Sequence, residues 1–112
     1  MSDLASRDCV PCKGGVPPLA AAECLELLEQ LDRGWEVVDG HHLARTYAFE
    51  NFRLALAYVN AVGELAEEHN HHPDLHLAWG RVGIEIWTHK IDGLHEADFV
   101  FAAKCDRLYP KS

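Results

Sequence analysis

Residues 52–68, FRLALAYVNAVGELAEE, carry the clearest helical pattern in the sequence and follow a candidate N-cap at Asn51. At about 100° per residue, their apolar side chains fall into two neighbouring stripes. The stripes are Phe52, Leu56, Val59, Val62 and Ala66, and Leu54, Tyr58, Ala61 and Leu65. This spacing predicts a helix that is apolar over more than half of its circumference. Because a helix on one sheet needs only one stripe, the second predicts packing against neighbouring helices or against another subunit.

Pairs of β-strands are predicted on both sides of this helix. The four predicted strands are residues 35–38, 42–49, 75–79 and 82–87. Asp39 and Gly40 separate the first two, and both residue types tolerate the positive φ of a tight hairpin turn. Gly80 and Arg81 separate the second two. In these, Leu75, Leu77 and Trp79 alternate with His76 and Ala78, and Val82, Ile84 and Ile86 alternate with Gly83, Glu85 and Trp87.

Two further helices are predicted, at residues 19–31, ended by Gly34, and at residues 96–108. Cys24 and Cys105 fall on their apolar faces. The order is therefore helix, hairpin, helix, hairpin, helix. Short turns pair strands antiparallel, so we expect an α+β fold, a four-stranded antiparallel sheet with three helices packed on one face. Residues 19–109 form one predicted domain.

Residues 1–18 are predicted to be a flexible leader, since KGGVPP at 13–18 cannot continue a regular element. The leader carries Cys9-Val-Pro-Cys12, which could contribute half of a zinc site or a redox dithiol. Tetrahedral zinc needs two more ligands, and no second Cys-x-x-Cys or His-x3-His follows at the spacing of a zinc finger. We therefore favour two reduced thiols and expect no metal.

Composition and charge limit the possible partners. The chain has 112 residues, with 10 Lys and Arg against 18 Asp and Glu, and a formal net charge of −8. A protein that binds phosphates needs a basic surface, so neither nucleic acid nor an anionic membrane is an expected partner. No apolar run is long enough to span a bilayer and no signal peptide opens the sequence, so we expect a cytoplasmic location.

Histidine is the residue type in excess. The chain has 8 histidines, and five of them are close in sequence: His69, His71, His72, His76 and His89. Imidazole exchanges protons readily near neutral pH and also binds metals. The residues alone leave three interpretations open: solvated or satisfied side chains, a metal site, or an acid–base site. Metal is harder to support because Pro73 disturbs the strand spacing of His69 and His71.

A longer pattern resembles the signature of the pterin-4a-carbinolamine dehydratases. Its residues are Glu67, His71, His72, Pro73, Asp74, Trp79, Thr88, His89, Gly93, Leu94 and Asp98. The similarity also covers residues 47–52, the run 58–60 and the leader, and so nearly the whole chain.

The resemblance implies an enzyme that dehydrates the 4a-hydroxytetrahydropterin released by aromatic amino acid hydroxylases, giving quinonoid dihydropterin and water. It implies no metal and no organic cofactor, an α+β fold with helices on one face, and a homodimer or homotetramer. Other members of the family are regulatory or assembly proteins, so a non-catalytic binding protein is the alternative.

The resemblance also assigns the site. It implies His71, His72 and His89 as catalytic residues, with His72 and His89 moving protons and His71 holding the hydroxyl. The supporting or substrate-binding residues are Glu67, Asp98, Trp79 and Thr88.

Two of the supporting residues also have a plainer interpretation. Trp79 could be a core aromatic, and Asp98 could serve only the dipole of the last helix. The histidines expected at the surface are His41, His42, His69, His76 and His95. His95 occupies the place of the Ser or Thr that caps the last helix in many relatives, so we expect a weaker cap.

Overall fold

The computed structural model of the protein describes residues 18–109. Over this range the elements are α1 (Ala21–Leu28), β1 (Glu36–Val38), β2 (His42–Ala48), α2 (Phe52–His69), β3 (Asp74–Ala78), β4 (Arg81–Ile86) and α3 (Glu96–Leu108). A short 3₁₀ turn, His89–Ile91, precedes α3. The predicted α+β class, with three helices and a four-stranded antiparallel sheet, is confirmed. The predictions for the leader, including Cys9 and Cys12, lie outside the described residues.

The two hairpins join through their second strands. The order of strands is β1-β2-β4-β3, and every neighbouring pair is antiparallel. In the central pair, Leu43 lies opposite Ile86 and Tyr47 lies opposite Val82. These four side chains are buried, because this face of the sheet lies beneath the helices. Alternate residues of the same strands face away from the helices.

Two local signals read from the sequence are confirmed. Asp39 and Gly40 have φ values of 53° and 65°, and the amide of His41 donates to the carbonyl of Val38 at 2.9 Å. The first hairpin therefore turns at the Asp-Gly pair. The side chain of Asn51 accepts a hydrogen bond from the amide of Leu54 at 2.9 Å, so α2 begins at the predicted cap.

Two predicted boundaries were wrong. Helix α1 ends at Leu28 instead of continuing to Leu31. The amides of Gln30 and Leu31 bond carbonyls three residues back, which makes a tighter turn. In the second hairpin Ala78 pairs with Arg81, which leaves Trp79 and Gly80 as the turn. Trp79 is 69% exposed there, so it is not a core aromatic.

The apolar surface of α2 is only partly covered within the described chain. The buried stripe runs between the two predicted ones and consists of Ala55, Tyr58, Val62 and Ala66. On its flanks Phe52 and Leu54 are each 44% exposed and Leu56 is 41% exposed. The core therefore takes the middle of the apolar surface. Contact of the flanks with another subunit stays a prediction.

A buried carboxylate near the end of α3 explains the charged residue on the inner face of β2. Asp106 accepts hydrogen bonds from the guanidinium of Arg45 at 2.7 Å, from the indole of Trp35 at 3.0 Å, and from the hydroxyl of Tyr47. Burial raises the pKa of the Asp106 carboxyl, while these hydrogen bonds and the charge of Arg45 oppose the rise. Gly34 packs against this same Arg45. A Cβ at position 34 would lie only 2.5 Å from Nε of Arg45, which is too close.

Replacing this carboxylate is expected to destabilise the fold. Asp106→Ala removes the shared acceptor of Trp35, Tyr47 and the partly buried Arg45, so the free energy of unfolding should fall by about 2–4 kcal/mol in urea denaturation. Asp32→Ala is the matched control, because Asp32 lies 3.6 Å from the same Arg45 but is 66% exposed. It should cost less than about 1 kcal/mol. Equal losses in the two variants would contradict the assignment.

Candidate active site

The histidines of the sequence motif meet at one edge of the sheet. A cavity of about 160 Å³ opens where the end of α2, the loop before β3 and the segment after β4 come together. Its lining residues are Asn70, His71, His72, Trp87, Thr88, His89 and Lys90. The structure therefore brings together all three predicted catalytic histidines and Thr88.

The end of α2 sets the positions of His71 and His72. Asn70 adopts the left-handed conformation, with φ 52° and ψ 41°, and its amide bonds the carbonyl of Ala66. The amide of His71 donates to the same carbonyl at 3.1 Å. Asn is one of the few residues that adopt this conformation readily at a helix end. The chain thus reverses within one residue and places both imidazoles beside the helix terminus.

The carboxylate of Asp98 fixes the orientation of the His71 ring. This carboxylate is wholly buried in the first turn of α3, and its Oδ1 lies 2.7 Å from Nε2 of His71. Its Oδ2 accepts hydrogen bonds from the hydroxyl of Thr88 and the amide of His95, each at 2.8 Å. A carboxylate oxygen accepts, so in this contact Nε2 of His71 is the donor, and Nδ1 is the ring nitrogen that can accept from a ligand when it carries no hydrogen.

The start of α3 carries the weak cap that the sequence predicted. The side chain of His95 makes no cap hydrogen bond, so only the Asp98 half of the capping box is present. His95 is half-buried rather than at the surface, and its Nδ1 is buried without a partner within residues 18–109. Asp98 therefore serves both the helix terminus and His71.

His72 is held in a different environment. Its Nε2 lies 2.6 Å from Oε2 of Glu67, a residue near the end of α2. Both side chains are exposed, Glu67 to 76%. This pair orients the ring in solvent, where an ion pair contributes little to stability. His72 can therefore exchange protons with water as well as with a ligand.

His89 is the least constrained of the three histidines. It is exposed at the start of the 3₁₀ turn, directly after the buried Thr88. The amide of Thr88 donates to the carbonyl of Gly93 at 2.8 Å, which closes the loop that carries His89. Within residues 18–109 neither ring nitrogen of His89 has a hydrogen-bond partner. Its ring contacts Trp87, with 4.5 Å between centroids.

Trp79, expected at the site, lies elsewhere in this subunit. It occupies the turn at the far end of the β3–β4 hairpin, and the length of β3 separates it from the cavity. At about 3.3 Å per residue this is roughly 16 Å. The structure instead places Trp87, Asn70 and Lys90 on the lining. The sequence signal for Trp87 was its position directly before Thr88.

Three of the remaining histidines contact other polar side chains. Nε2 of His41 lies 2.7 Å from Asp92, and Nδ1 of His41 lies 3.1 Å from Nδ1 of His42. Nε2 of His42 lies 3.5 Å from Glu85, which also contacts His76 at 3.1 Å. Across residues 18–109, no group of three or more His, Cys, Asp or Glu has a geometry that could hold a metal ion.

Comparison with known families and proteins gives a consistent result. The family model for pterin 4 alpha carbinolamine dehydratase matches residues 17–108. A protein of Rubrobacter xylanophilus is 66% identical over 108 residues, covering 96% of this chain and 100% of its own length. One of Alkaliphilus metalliredigens is 51% identical over 107 residues, covering 96% of each chain. Both are named "Putative pterin-4-alpha-carbinolamine dehydratase".

Two solved structures share the fold. The crystal structure of a transcriptional coactivator/pterin dehydratase from Brucella melitensis matches with a TM-score of 0.76 and 33% identity, over 81% of this chain and 97% of that one. A pterin dehydratase-like protein, identified as a RuBisCO assembly factor in the alpha-carboxysome, matches with a TM-score of 0.61 and 26% identity. That match covers 71% of this chain and 94% of the other. Within the described range no helix is long and apolar enough to cross a membrane.

The two carboxylate–histidine pairs are expected to differ in their contribution to stability. Asp98→Ala leaves the buried donors of His71, Thr88 and His95 unpaired, so the free energy of unfolding should fall by about 2–4 kcal/mol. Glu67→Ala removes a contact of similar length between exposed groups and should cost less than about 1 kcal/mol. Urea denaturation of both variants measures the difference. A loss at Glu67 as large as that at Asp98 would refute this account.

Proposed function

Because the chain belongs to the pterin-4a-carbinolamine dehydratase family, we propose that it converts 4a-hydroxytetrahydropterin to quinonoid dihydropterin and water by histidine acid–base catalysis. The observation that carries the proposal is the convergence of His71, His72 and His89 on one cavity. Glu67 and Asp98 orient two of these rings, and Thr88 completes the hydrogen bonds of Asp98.

The reaction needs one acid and one base. The bond between C4a and the hydroxyl oxygen breaks, and that oxygen takes up a proton and leaves as water. The bond between N5 and its hydrogen breaks, and its electrons form the C4a–N5 double bond. Each proton transfer by a positioned group with a pKa near neutrality accelerates the reaction by roughly 10²–10⁴-fold. Proton transfers alone balance the reaction, so we propose that neither a metal nor an organic cofactor takes part.

The contacts of each histidine support a division of roles. His71 is largely buried and fixed by Asp98, which suits it to hold the substrate hydroxyl through the free Nδ1. His72 and His89 are both exposed and can exchange their protons with solvent between turnovers. We therefore assign the two proton transfers to His72 and His89.

The setting of the reaction follows from its substrate. Aromatic amino acid hydroxylases release the 4a-hydroxypterin, so the enzyme would return their cofactor to use in the cytoplasm. We also propose a homodimer or homotetramer in which other copies cover the exposed flanks of α2, Phe52 and Leu56 on one side of the buried stripe and Leu54 on the other. Sedimentation equilibrium tests this: wild-type protein should sediment as an oligomer and Leu54→Gln as a smaller species. A monomeric wild type would overturn the proposal.

A second candidate function is a non-catalytic assembly or regulatory protein. The similarity to a structure identified as a RuBisCO assembly factor favours it. Such a protein would retain the fold, bind a macromolecule and show no turnover of the pterin.

A direct dehydration assay separates the two candidates. With freshly generated 4a-hydroxytetrahydropterin, the wild-type protein should exceed the uncatalysed rate, and His72→Ala and His89→Ala should each lose roughly 10²–10⁴-fold in rate. His76→Ala is the control, because His76 also contacts a glutamate but does not line the cavity. Its rate should stay within about twofold of the wild-type rate.

Each result of the dehydration assay supports one of the two candidate functions. Thermal unfolding of each variant verifies that the fold survives. Wild-type turnover in both His72→Ala and His89→Ala would refute histidine catalysis. A wild-type rate no faster than the uncatalysed reaction, together with a co-purifying macromolecule, would favour the assembly protein.

A further inference from the structure

Trp87 differs from every other residue on the cavity lining. The rest of the lining consists of three imidazoles, an amide, a hydroxyl and an ammonium group. Trp87 therefore supplies the large apolar surface of the cavity. Within residues 18–109 its indole N–H has no hydrogen-bond partner, although Trp35 uses the same group to bind Asp106. Among the described residues, the N–H edge of the Trp87 indole is therefore left without a hydrogen-bond partner.

The strand and its neighbours fix the position of this ring. Trp87 directly follows Ile86, the last residue of β4, whose side chain is buried under the helices. Because side chains alternate along a strand, Trp87 projects from the opposite face of the sheet. His41 and His42 lie against it there, with ring centroids at 5.3 and 5.9 Å.

These two backing histidines are themselves held in place. His41 contacts Asp92 and His42 contacts Glu85, while their Nδ1 atoms face each other at 3.1 Å. Neither histidine lines the cavity. On its cavity side Trp87 contacts His89, with 4.5 Å between centroids. The indole therefore stands between a fixed pair of imidazoles and a predicted catalytic histidine.

The chemistry of the substrate matches such a surface. A pterin has polar edges and apolar faces, so a cavity that surrounds it with donors also needs a flat apolar contact. In the 4a-hydroxy substrate C4a is tetrahedral and the bicycle is bent. Loss of water makes C4a trigonal and the bicycle flatter. Stacking on an indole therefore strengthens as the reaction proceeds, and such an interaction accelerates a chemical step.

We infer that Trp87 is the stacking surface for the pterin ring and that it favours the flattened product-like state over the bent substrate. This inference rests on the proposed function and adds a substrate-binding residue to it. His41 and His42 act as positioning residues, because they contact the indole and not the cavity.

Binding of a planar, fully oxidised pterin tests the inference without turnover. By isothermal titration calorimetry, Trp87→Leu should raise the dissociation constant by roughly 5- to 150-fold, the range expected for loss of one ring stacked on an aromatic side chain. Trp87→Phe should recover most of the affinity, since it keeps a flat face. Equal affinities of the wild type and Trp87→Leu, or no recovery with Trp87→Phe, would overturn the inference.

Turnover gives a second, independent measurement. In the dehydration assay Trp87→Leu should lower kcat by more than it raises KM, because the lost contact is strongest late in the reaction. A rise in KM at unchanged kcat would refute the preference for the flattened state. Thermal unfolding of both Trp87 variants provides the control for folding.

Trp79 is the alternative stacking residue, and the same binding experiment tests it. If the stacking residue is the tryptophan expected from the sequence, Trp79→Leu will weaken binding of the planar pterin and Trp87→Leu will not, and the inference fails. Its failure is distinct from that of the proposed function. A wild type that binds planar pterin through Trp87 but does not accelerate dehydration refutes the enzyme and supports the stacking surface.

Discussion

A wholly buried carboxylate is tolerated only if donors surround it, and Asp98 meets this requirement with three donors from three segments. His71 comes from the loop after α2, Thr88 from the segment after β4, and the amide of His95 from the start of α3. Withdrawal of any one segment removes one of the three donors from the buried carboxylate. The packing of these three segments and the orientation of His71 are therefore maintained by the same hydrogen bonds.

Helix α3 is fixed by a second carboxylate near its other end. Asp106 joins it to Trp35, Arg45 and Tyr47 on the first hairpin, while Asp98 joins it to the cavity. Between them lies an apolar face that includes Phe101 and Cys105, both fully buried. Polar contacts therefore anchor α3 at both ends, one toward the first hairpin and one toward the cavity.

Periodicity was sufficient to predict the elements, because helices and strands bury residues at different spacings. It could not place the two tryptophans. Trp79 and Trp87 both follow alternating strands, and only the pairing of Ala78 with Arg81 puts the first in a turn. Nor could it explain Arg45, whose partner Asp106 is distant in the sequence. The contact of His71 with Asp98 depends on tertiary structure in the same way, and only the resemblance to a family placed both residues in one site.

The pairing of β2 with β4 also governs how the chain folds. Each hairpin can close locally, but the centre of the sheet brings together strands on either side of the whole of α2. Contacts between residues far apart in sequence form slowly, because the intervening chain loses entropy before they contribute energy. The segment bearing His89 follows β4, and the loop bearing His71 and His72 follows α2. The β3–β4 hairpin, which is local in sequence, joins these two segments, so the candidate site can come together before β2 pairs with β4.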